Sequence, residues 1–481
     1  MIKPRKISTK TLWTTLLGLT LALASLYALS PSAQAQTQAP RPVGWLLSAD
    51  VPHLPFTLDS LCIIENHSPE LTSFIHALKL LSSGKDTVLS IVHLGDSHIE
   101  AGYYSGQIMR LLQQRYGNAG RGWVAPFRLA RMSQPEDYFI RSGTRDWVSG
   151  RINQPSKKTP IGPGGIGIRS NASSLKFDLL TAPVNGEGYS FNQVVLYRGN
   201  KAMPLLPTGA RKEGIRVSHG LTELGPRMVA DTFFLPSLRD TLLLQSSLRK
   251  PGAKANSPAS DFANYYYGFS LSNGQPGILY HSVGVNGAMF VHYSDPDFLP
   301  RLAALKPSLL IVSLGTNESI GTRFNEEVFA RQVRKFLGMV REYMPQTAIL
   351  LTTPADFYKR TRISRQRGYN YSFNENTEKL AAVLSALARE EGLACWDLFS
   401  ATGGRHSSQQ WIDAGLLSSD RIHFRKEGYL EFGRLFYLAF MRLTEPRPPI
   451  RSVSSVPVHP PLLNASQQNR PPITPVHDRR N

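Results

Sequence analysis

A largely parallel α/β sheet covered on both faces, with an all-β module inserted into it, is the fold this sequence predicts. Two observations predict it. Short apolar runs of strand character alternate with amphipathic helical periodicity from 68 to 116 and again from 309 to 440, the mark of β-α-β units. Between them, at roughly 135–275, short runs separated by Gly, Pro and Asn clusters carry little helical periodicity, as an all-β module does.

The elements follow in order. Ser68-Pro69-Glu70 supplies an N-cap, a helix-compatible proline and an acid, then Leu71, Phe74, Ile75, Leu78 and Leu81 share one face before Gly84. Val88 to Leu94 reads as a buried strand that stops at Gly95-Asp96-Ser97-His98, and Ile108, Leu111, Leu112 and Tyr116 mark the next helix. The module contributes strand-like runs at Ser174 to Leu180, Phe191 to Tyr197, Asp240 to Gln245 and Tyr265 to Leu271. Downstream, Ile278-Leu279-Tyr280 is strand-like, Leu309 to Leu314 and Ala348 to Thr353 are strands, and Phe329, Val333, Phe336, Leu337 and Val340 form the helix face between the last two. Leu380, Val383, Leu384 and Leu387 precede a Gly392 stop and a strand from Leu393 to Leu398; Tyr429, Phe432, Leu435, Phe436 and Phe440 mark the last helix.

Outside this body the chain has a different character. Lys3, Arg5, Lys6 and Lys10 precede an apolar run from Leu12 to Leu29 and the small residues Ala33-Gln34-Ala35, so 1–35 reads as a secretory signal peptide. A membrane anchor is the rival reading of the run, and no cysteine stands near the cleavage site to accept a lipid. Residues 36–55 read as a linker and 445–481 as a disordered Pro-rich tail. The expected domains are therefore a first α/β part at 56–134, the module at 135–275 and a second α/β part at 276–444. Export would place the chain in the bacterial periplasm or outside the cell. Only Cys62 and Cys395 are present, so the fold cannot rest on a disulfide framework, and whether they pair is open. A net charge of +19, or +15 once the signal is removed, suits anionic envelope polymers, and the compartment argues against nucleic acid; scattered solvated Lys and Arg would give the same total. Oligomeric state is not legible.

The chemistry is carried by four segments. Ser97 sits where a buried strand turns into a helix, at the carboxyl edge of the sheet where α/β folds bind ligands, and the helix N-terminus favours developing negative charge. Asp420 precedes His423 by three residues just ahead of the last helix, close enough for the carboxylate to hold one ring nitrogen while the other faces a serine. Gly287 and Asn317 each follow a strand-like run, and a backbone N–H at Gly287, the Asn317 amide and the Ser97 N–H are candidate oxyanion donors. Asp96 and His98 are candidates for the pocket wall. Taken singly, each is more plainly a turn residue, a helix cap or a surface histidine.

In that order, Gly95-Asp96-Ser97, Gly287, Gly315-Thr316-Asn317 and Asp420-x-x-His423 resemble the four signature blocks of SGNH, or GDSL-type, hydrolases. The resemblance spans about 90–130 and 277–443. It implies a flavodoxin-like three-layer α/β/α fold with Ser97 as nucleophile, His423 as general base, Asp420 as its partner and no cofactor. His98 stands where many members have Leu, and Glu318 where many have Asp. A GDSH block followed by a large β-rich insertion is similar to peptidoglycan O-acetylesterases, in which the insertion resembles a carbohydrate-binding module. The function so implied is removal of O-acetyl groups from an envelope glycan. Acyl transfer, hydrolysis of a non-glycan ester, and glycan binding without turnover are the alternatives.

Competing constellations are missing: there is no Gly-x-Ser-x-Gly, His-Glu-x-x-His or phosphate-binding Gly-x-x-x-x-Gly-Lys motif, and no zinc-spaced cysteine pair. His93, His98, His281 and His292 read as ordinary hydrogen-bonded residues rather than metal ligands. Tyr103, Tyr104, Trp123 and Phe127 fit core packing better than a sugar-stacking wall.

Overall fold

The structure, a computed structural model, describes residues 54–157, 159–183, 188–220, 223–246, 264–321, 324–363 and 368–445. The signal-peptide segment, nearly all of the linker and all of the tail beyond Glu445 lie outside the described residues. Leu54, at the end of the segment read as linker, is buried.

Six strands form the main sheet in the order Ile64–Asn66, Ala394–Trp396, Ala348–Thr352, Leu309–Ser313, Val88–Gly95 and Gly277–Gly284. The last five run parallel to one another, and Ile64–Asn66 is antiparallel to Ala394–Trp396 at one edge. Continuous apolar strands arise because both faces are covered. Leu309 and Ile311 enter one core while Leu310 and Val312 enter the other, the period-2 alternation of an extended chain. Pro69–Ser82, Tyr103–Tyr116 and Lys426–Thr444 pack on the first face; Glu326–Tyr343 and Asn376–Glu390 pack on the second. Ser68 Oγ accepts the Leu71 N–H at 3.1 Å to start its helix, and Asn325 accepts the Val328 N–H at 2.8 Å to start another.

Two sheets build the module. One follows the order Arg216–His219, Met228–Arg239, Phe191–Gly199, Tyr265–Ser272, Ile166–Arg169 and Val148–Arg151, with Gly122–Val124 added beside Tyr265–Ser272. The other is Tyr138–Arg141, Lys176–Thr181, Thr241–Ser246 and Leu205–Pro207. Phe177, Leu196, Tyr266 and Phe269 lie in its core, which continues without a break through Trp123, Val285 and Tyr293 to Val92 and Leu94 of the main sheet. The β structure thus begins at Gly122, upstream of the expected 135.

Several local readings change. The run at Ile278 continues to Gly284, so His281 to Gly284 belong to a strand. The Ile64–Asn66 strand is three residues long, too short to show a period, and the hairpin of Tyr358–Arg362 with Tyr369–Phe373 is rich in Arg and Tyr rather than apolar residues. Cys62 and Cys395 are buried free thiols whose pKa values burial pushes up to about 12. Among the described residues no helix is long and apolar enough to cross a membrane.

A buried ion pair anchors the module. Arg198 grips Asp231 with two nearly parallel bonds, Nε to Oδ2 at 2.7 Å and Nη2 to Oδ1 at 3.1 Å. Asp231 is fully shielded from solvent. Removing it strands a buried guanidinium, so Asp231→Ala is expected to destabilise the protein by about 3–5 kcal/mol, measured by denaturant unfolding.

Candidate active site

The site begins with a close approach that only glycine permits. At Gly95 a Cβ would lie 2.3 Å from Ile99 Cγ1 and 2.8 Å from the Ser313 carbonyl oxygen. The chain can therefore fold back at once: Asp96 caps the short helix Ser97–Glu100, its Oδ1 accepting the His98 N–H at 3.0 Å. Ser97 occupies the first helical position, at the carboxyl end of a central strand.

Its partner comes from the loop before the last helix. Asp420 Oδ1 accepts the N–H groups of Ile422 and His423, both at 3.0 Å, while Arg421 takes a left-handed conformation with φ +57°. The Ser418 N–H closes the loop onto the His423 carbonyl at 2.7 Å. That turn leaves Asp420 Oδ2 2.6 Å from His423 Nδ1, and His423 Nε2 2.8 Å from Ser97 Oγ. Nδ1–H donating to the carboxylate leaves Nε2 free to accept the serine proton. The structure thus brings Ser97, His423 and Asp420 into one hydrogen-bonded chain.

Electrostatics match this geometry. Burial opposes ionisation of Asp420, but the His423 side chain and the His423 and Ile422 N–H groups outweigh it and hold the carboxyl well below its ordinary range. The Asp420 hydrogen bond raises the pKa of His423, with burial as a partial offset. His98 lies against His423, ring centroids 5.2 Å apart, with Nδ1 2.9 Å from the Tyr429 hydroxyl. Desolvation, helped by the neighbouring His423, lowers His98 to about 3. A neutral ring there adds no repulsion when His423 takes a proton. Burial pushes the Asp96 carboxyl up to about 7. Asp96 and His98 border a small pocket walled also by Tyr104, Ser313, Thr353 and Phe432.

Gly287 and Asn317 flank the serine. Val285 donates its N–H to the Gly95 carbonyl at 3.2 Å, and Ala288 donates to Val285 at 2.9 Å, closing a tight turn in which Gly287 has φ +78°. Among the described residues neither the Ser97 N–H nor the Gly287 N–H donates to a protein acceptor. Asn317 differs. Its amide nitrogen donates to Asp96 Oδ2 at 3.1 Å and to the Ala288 carbonyl at 3.0 Å. Both amide hydrogens are engaged, so reaching an oxyanion requires Asn317 to share or release one of these bonds.

Two neighbours were not legible as site residues. Glu100, buried, accepts the Asn286 N–H through Oε2 at 2.6 Å and the Ser133 N–H through Oε1 at 3.0 Å. Asn153, from the β module, donates to the Asn286 carbonyl at 2.8 Å. The backbone of Asn286 is thereby held at both its N–H and its carbonyl, the latter part of the peptide that carries the Gly287 N–H. An acid three residues after Ser97 was a weak sequence signal for the first; nothing in the sequence pairs Asn153 with Asn286. Glu318 accepts the Phe290 N–H at 2.9 Å, and burial raises its carboxyl to about 7.

The remaining candidates sit elsewhere in the packing. His93 bridges the Tyr280 and Ser313 hydroxyls at 2.7 Å each, His281 is buried, and His292 pairs with the Met289 N–H. Among the described residues no three His, Cys, Asp or Glu side chains are grouped to hold a metal ion. Tyr104, Trp123 and Phe127 are core residues, whereas Tyr103 reaches Glu136 at the surface.

Because Asp420 raises the His423 pKa and burial lowers it, wild-type His423 should titrate above an ordinary imidazole. Asp420→Asn should bring it below that value. Histidine ring NMR across pH reads both, and an unchanged titration in the variant would contradict the coupling.

Comparison with known proteins locates this arrangement. The GDSL-like lipase/acylhydrolase family matches residues 252–430, a stretch holding Gly287, Asn317, Asp420 and His423 but not Ser97. No curated protein matches the chain in sequence. A solved structure of a peptidoglycan O-acetylesterase superposes with a TM-score of 0.63 at 18% identity, covering 79% of this chain and 99% of that one. A gut microbial diltiazem-metabolizing enzyme overlaps 34% of this chain and 39% of its own at 20% identity and TM-score 0.26. A GDSL-like lipase from Bacteroides thetaiotaomicron overlaps 34% and 76% at 15% identity and TM-score 0.24. Residues 252–430 therefore resemble the GDSL-like lipase/acylhydrolase family, and the chain shares the fold of that O-acetylesterase structure, with an additional β-rich region.

Proposed function

We propose that this protein is an exported serine esterase that removes O-acetyl groups from an envelope glycan, with peptidoglycan as the polymer. The observation that carries the reading is the continuous hydrogen-bonded chain from Ser97 through His423 to Asp420. Support for the substrate comes from the likeness to a peptidoglycan O-acetylesterase along almost its whole length. Support for export comes from the basic, apolar and small-residue succession ending at Ala35. The hydrolase parts, 56–134 and 276–444, would flank the module.

His423 Nε2 takes the hydroxyl proton as Ser97 Oγ attacks the acetyl carbonyl carbon. The carbonyl oxygen becomes an oxyanion facing the free N–H groups of Ser97 and Gly287, joined by Asn317 as it shares its bond to Ala288. Collapse breaks the ester C–O bond, and His423 returns the proton to the sugar oxygen that leaves. Water then repeats the sequence on the acyl-serine, releasing acetate and restoring Ser97. Asp420 stays ionised throughout, fixing the tautomer and stabilising the imidazolium.

The experiment that tests the reading is incubation of the purified protein with O-acetylated peptidoglycan and quantification of acetate. Ser97→Ala is expected to lower acetate release by about a thousandfold or more while the circular dichroism spectrum is unchanged. Wild-type turnover by that variant would overturn it.

Two further outcomes follow from the site. The base form of His423 is needed and its pKa is raised, so kcat/KM should climb with pH through a midpoint above that of an ordinary histidine. Glu100→Gln should leave folding intact and reduce kcat by about tenfold to a hundredfold with little change in KM, because it loosens a transition-state donor rather than a substrate contact.

A further inference from the structure

One surface beside the triad is not used by this chemistry. Tyr358–Arg362 and Tyr369–Phe373 form an antiparallel hairpin whose register pairs Tyr358 with Phe373, Arg360 with Tyr371 and Arg362 with Tyr369. Paired and alternate residues share a face, so these six side chains form one ladder of aromatic and arginine groups. From 358 to 373 the sequence carries no acidic residue.

The root of the hairpin is fixed. Tyr358 stacks on Phe373 at 4.7 Å, and Phe373 on His406 at 3.9 Å. Arg421 of the Asp420–His423 turn lies over the Tyr371 ring at 4.4 Å and the Tyr358 ring at 5.3 Å, and its carbonyl accepts the Tyr358 N–H at 2.9 Å. The ladder therefore leads outward from the catalytic loop. Tyr358, Tyr371 and Arg421 brace that loop by contact; Arg360 and Arg362 do not, although the charge of Arg360 weakly opposes protonation of His423, an effect common to both substrates in the turnover ratio below. Both are exposed, and among the described residues neither has a carboxylate within ion-pairing distance. Arg360 lies over the Tyr369 ring at 4.9 Å. A guanidinium stacked by its face keeps its N–H edge open for bidentate binding of a carboxylate, while tyrosine faces accept sugar rings.

We propose that this ladder is a docking arm for the carboxylate-bearing strand of peptidoglycan, holding the polymer while its acetyl group reaches Ser97; the inference rests on the esterase reading above. Charge complementarity selects this occupant: the stem peptides of peptidoglycan present carboxylates along a chain of sugar rings, and the arm presents arginines between aromatic rings.

The test compares R360E/R362E with K79E/K85E, which makes the same charge change at exposed lysines by the opposite edge of the sheet. Retention on sedimented peptidoglycan is measured in a Ser97→Ala background, independent of turnover. The arm reading expects R360E/R362E to weaken retention about tenfold and K79E/K85E to change it little. In active protein, R360E/R362E should lower the ratio of peptidoglycan turnover to 4-nitrophenyl acetate turnover by a similar factor. R360Q/R362Q, a milder change at the same exposed positions, should show an intermediate loss, and amidating the peptidoglycan carboxylates should reproduce the loss with wild-type arginines. Equal retention by both charge-reversed proteins, or no effect of amidation, overturns the arm. Failure of the wild type to release acetate from peptidoglycan would instead overturn the esterase reading, while retention still reports on the arm.

Discussion

The candidate active site depends first on strand register. Gly95 is level with Gly284 on one side and with Ser313 on the other, because Val88–Gly95 pairs in parallel with both neighbours. Three consecutive strands in the sheet thus end at one height, and the turns that follow them carry Ser97, Gly287 and Asn317. A two-residue slip of either neighbour would keep its apolar pattern and still move a donor by more than 6 Å, at a rise of about 3.3 Å per residue. The near absence of space around Gly95 opposes such a slip, since the Ser313 carbonyl already lies where a side chain would stand.

The imidazole and carboxylate reach this edge by another route. Lys426–Thr444 packs along Tyr103–Tyr116, where Gly433 lets the two helices meet at Gln107: a Cβ at that glycine would lie 2.6 Å from the Gln107 side chain. This contact fixes the position of the loop preceding the last helix. Within the loop, the backbone bonds of Asp420 hold the turn, so the residue that orients His423 also sets the conformation that presents it. A change at Asp420 therefore acts on both charge and geometry.

The β module takes part in the same construction. Its core is continuous with one face of the parallel sheet, and Asn153 reaches the carbonyl of Asn286. Glu100 holds the N–H of that residue from the helix that carries Ser97. The turn at Gly287 is consequently positioned by two separate parts of the chain.

By itself the sequence determined the alternating α/β order, the β character of the insertion and the residues that meet at the sheet edge. Apolar periodicity, glycine turns and an Asp three residues before a His are local properties, legible without coordinates. It did not determine the short antiparallel strand at Ile64–Asn66, the extension of the strand at Ile278 to Gly284, the engagement of both Asn317 amide hydrogens, or the clamp of Glu100 and Asn153 on Asn286. Nor did it reveal the tyrosine and arginine hairpin, whose residues lack the apolar alternation by which a half-buried strand is recognised. Most of these are decided by which distant segments share a surface: the bonds of Asn317 to Asp96 and of Asn286 to Glu100 and Asn153 join residues more than a hundred positions apart and leave no periodic trace in the chain.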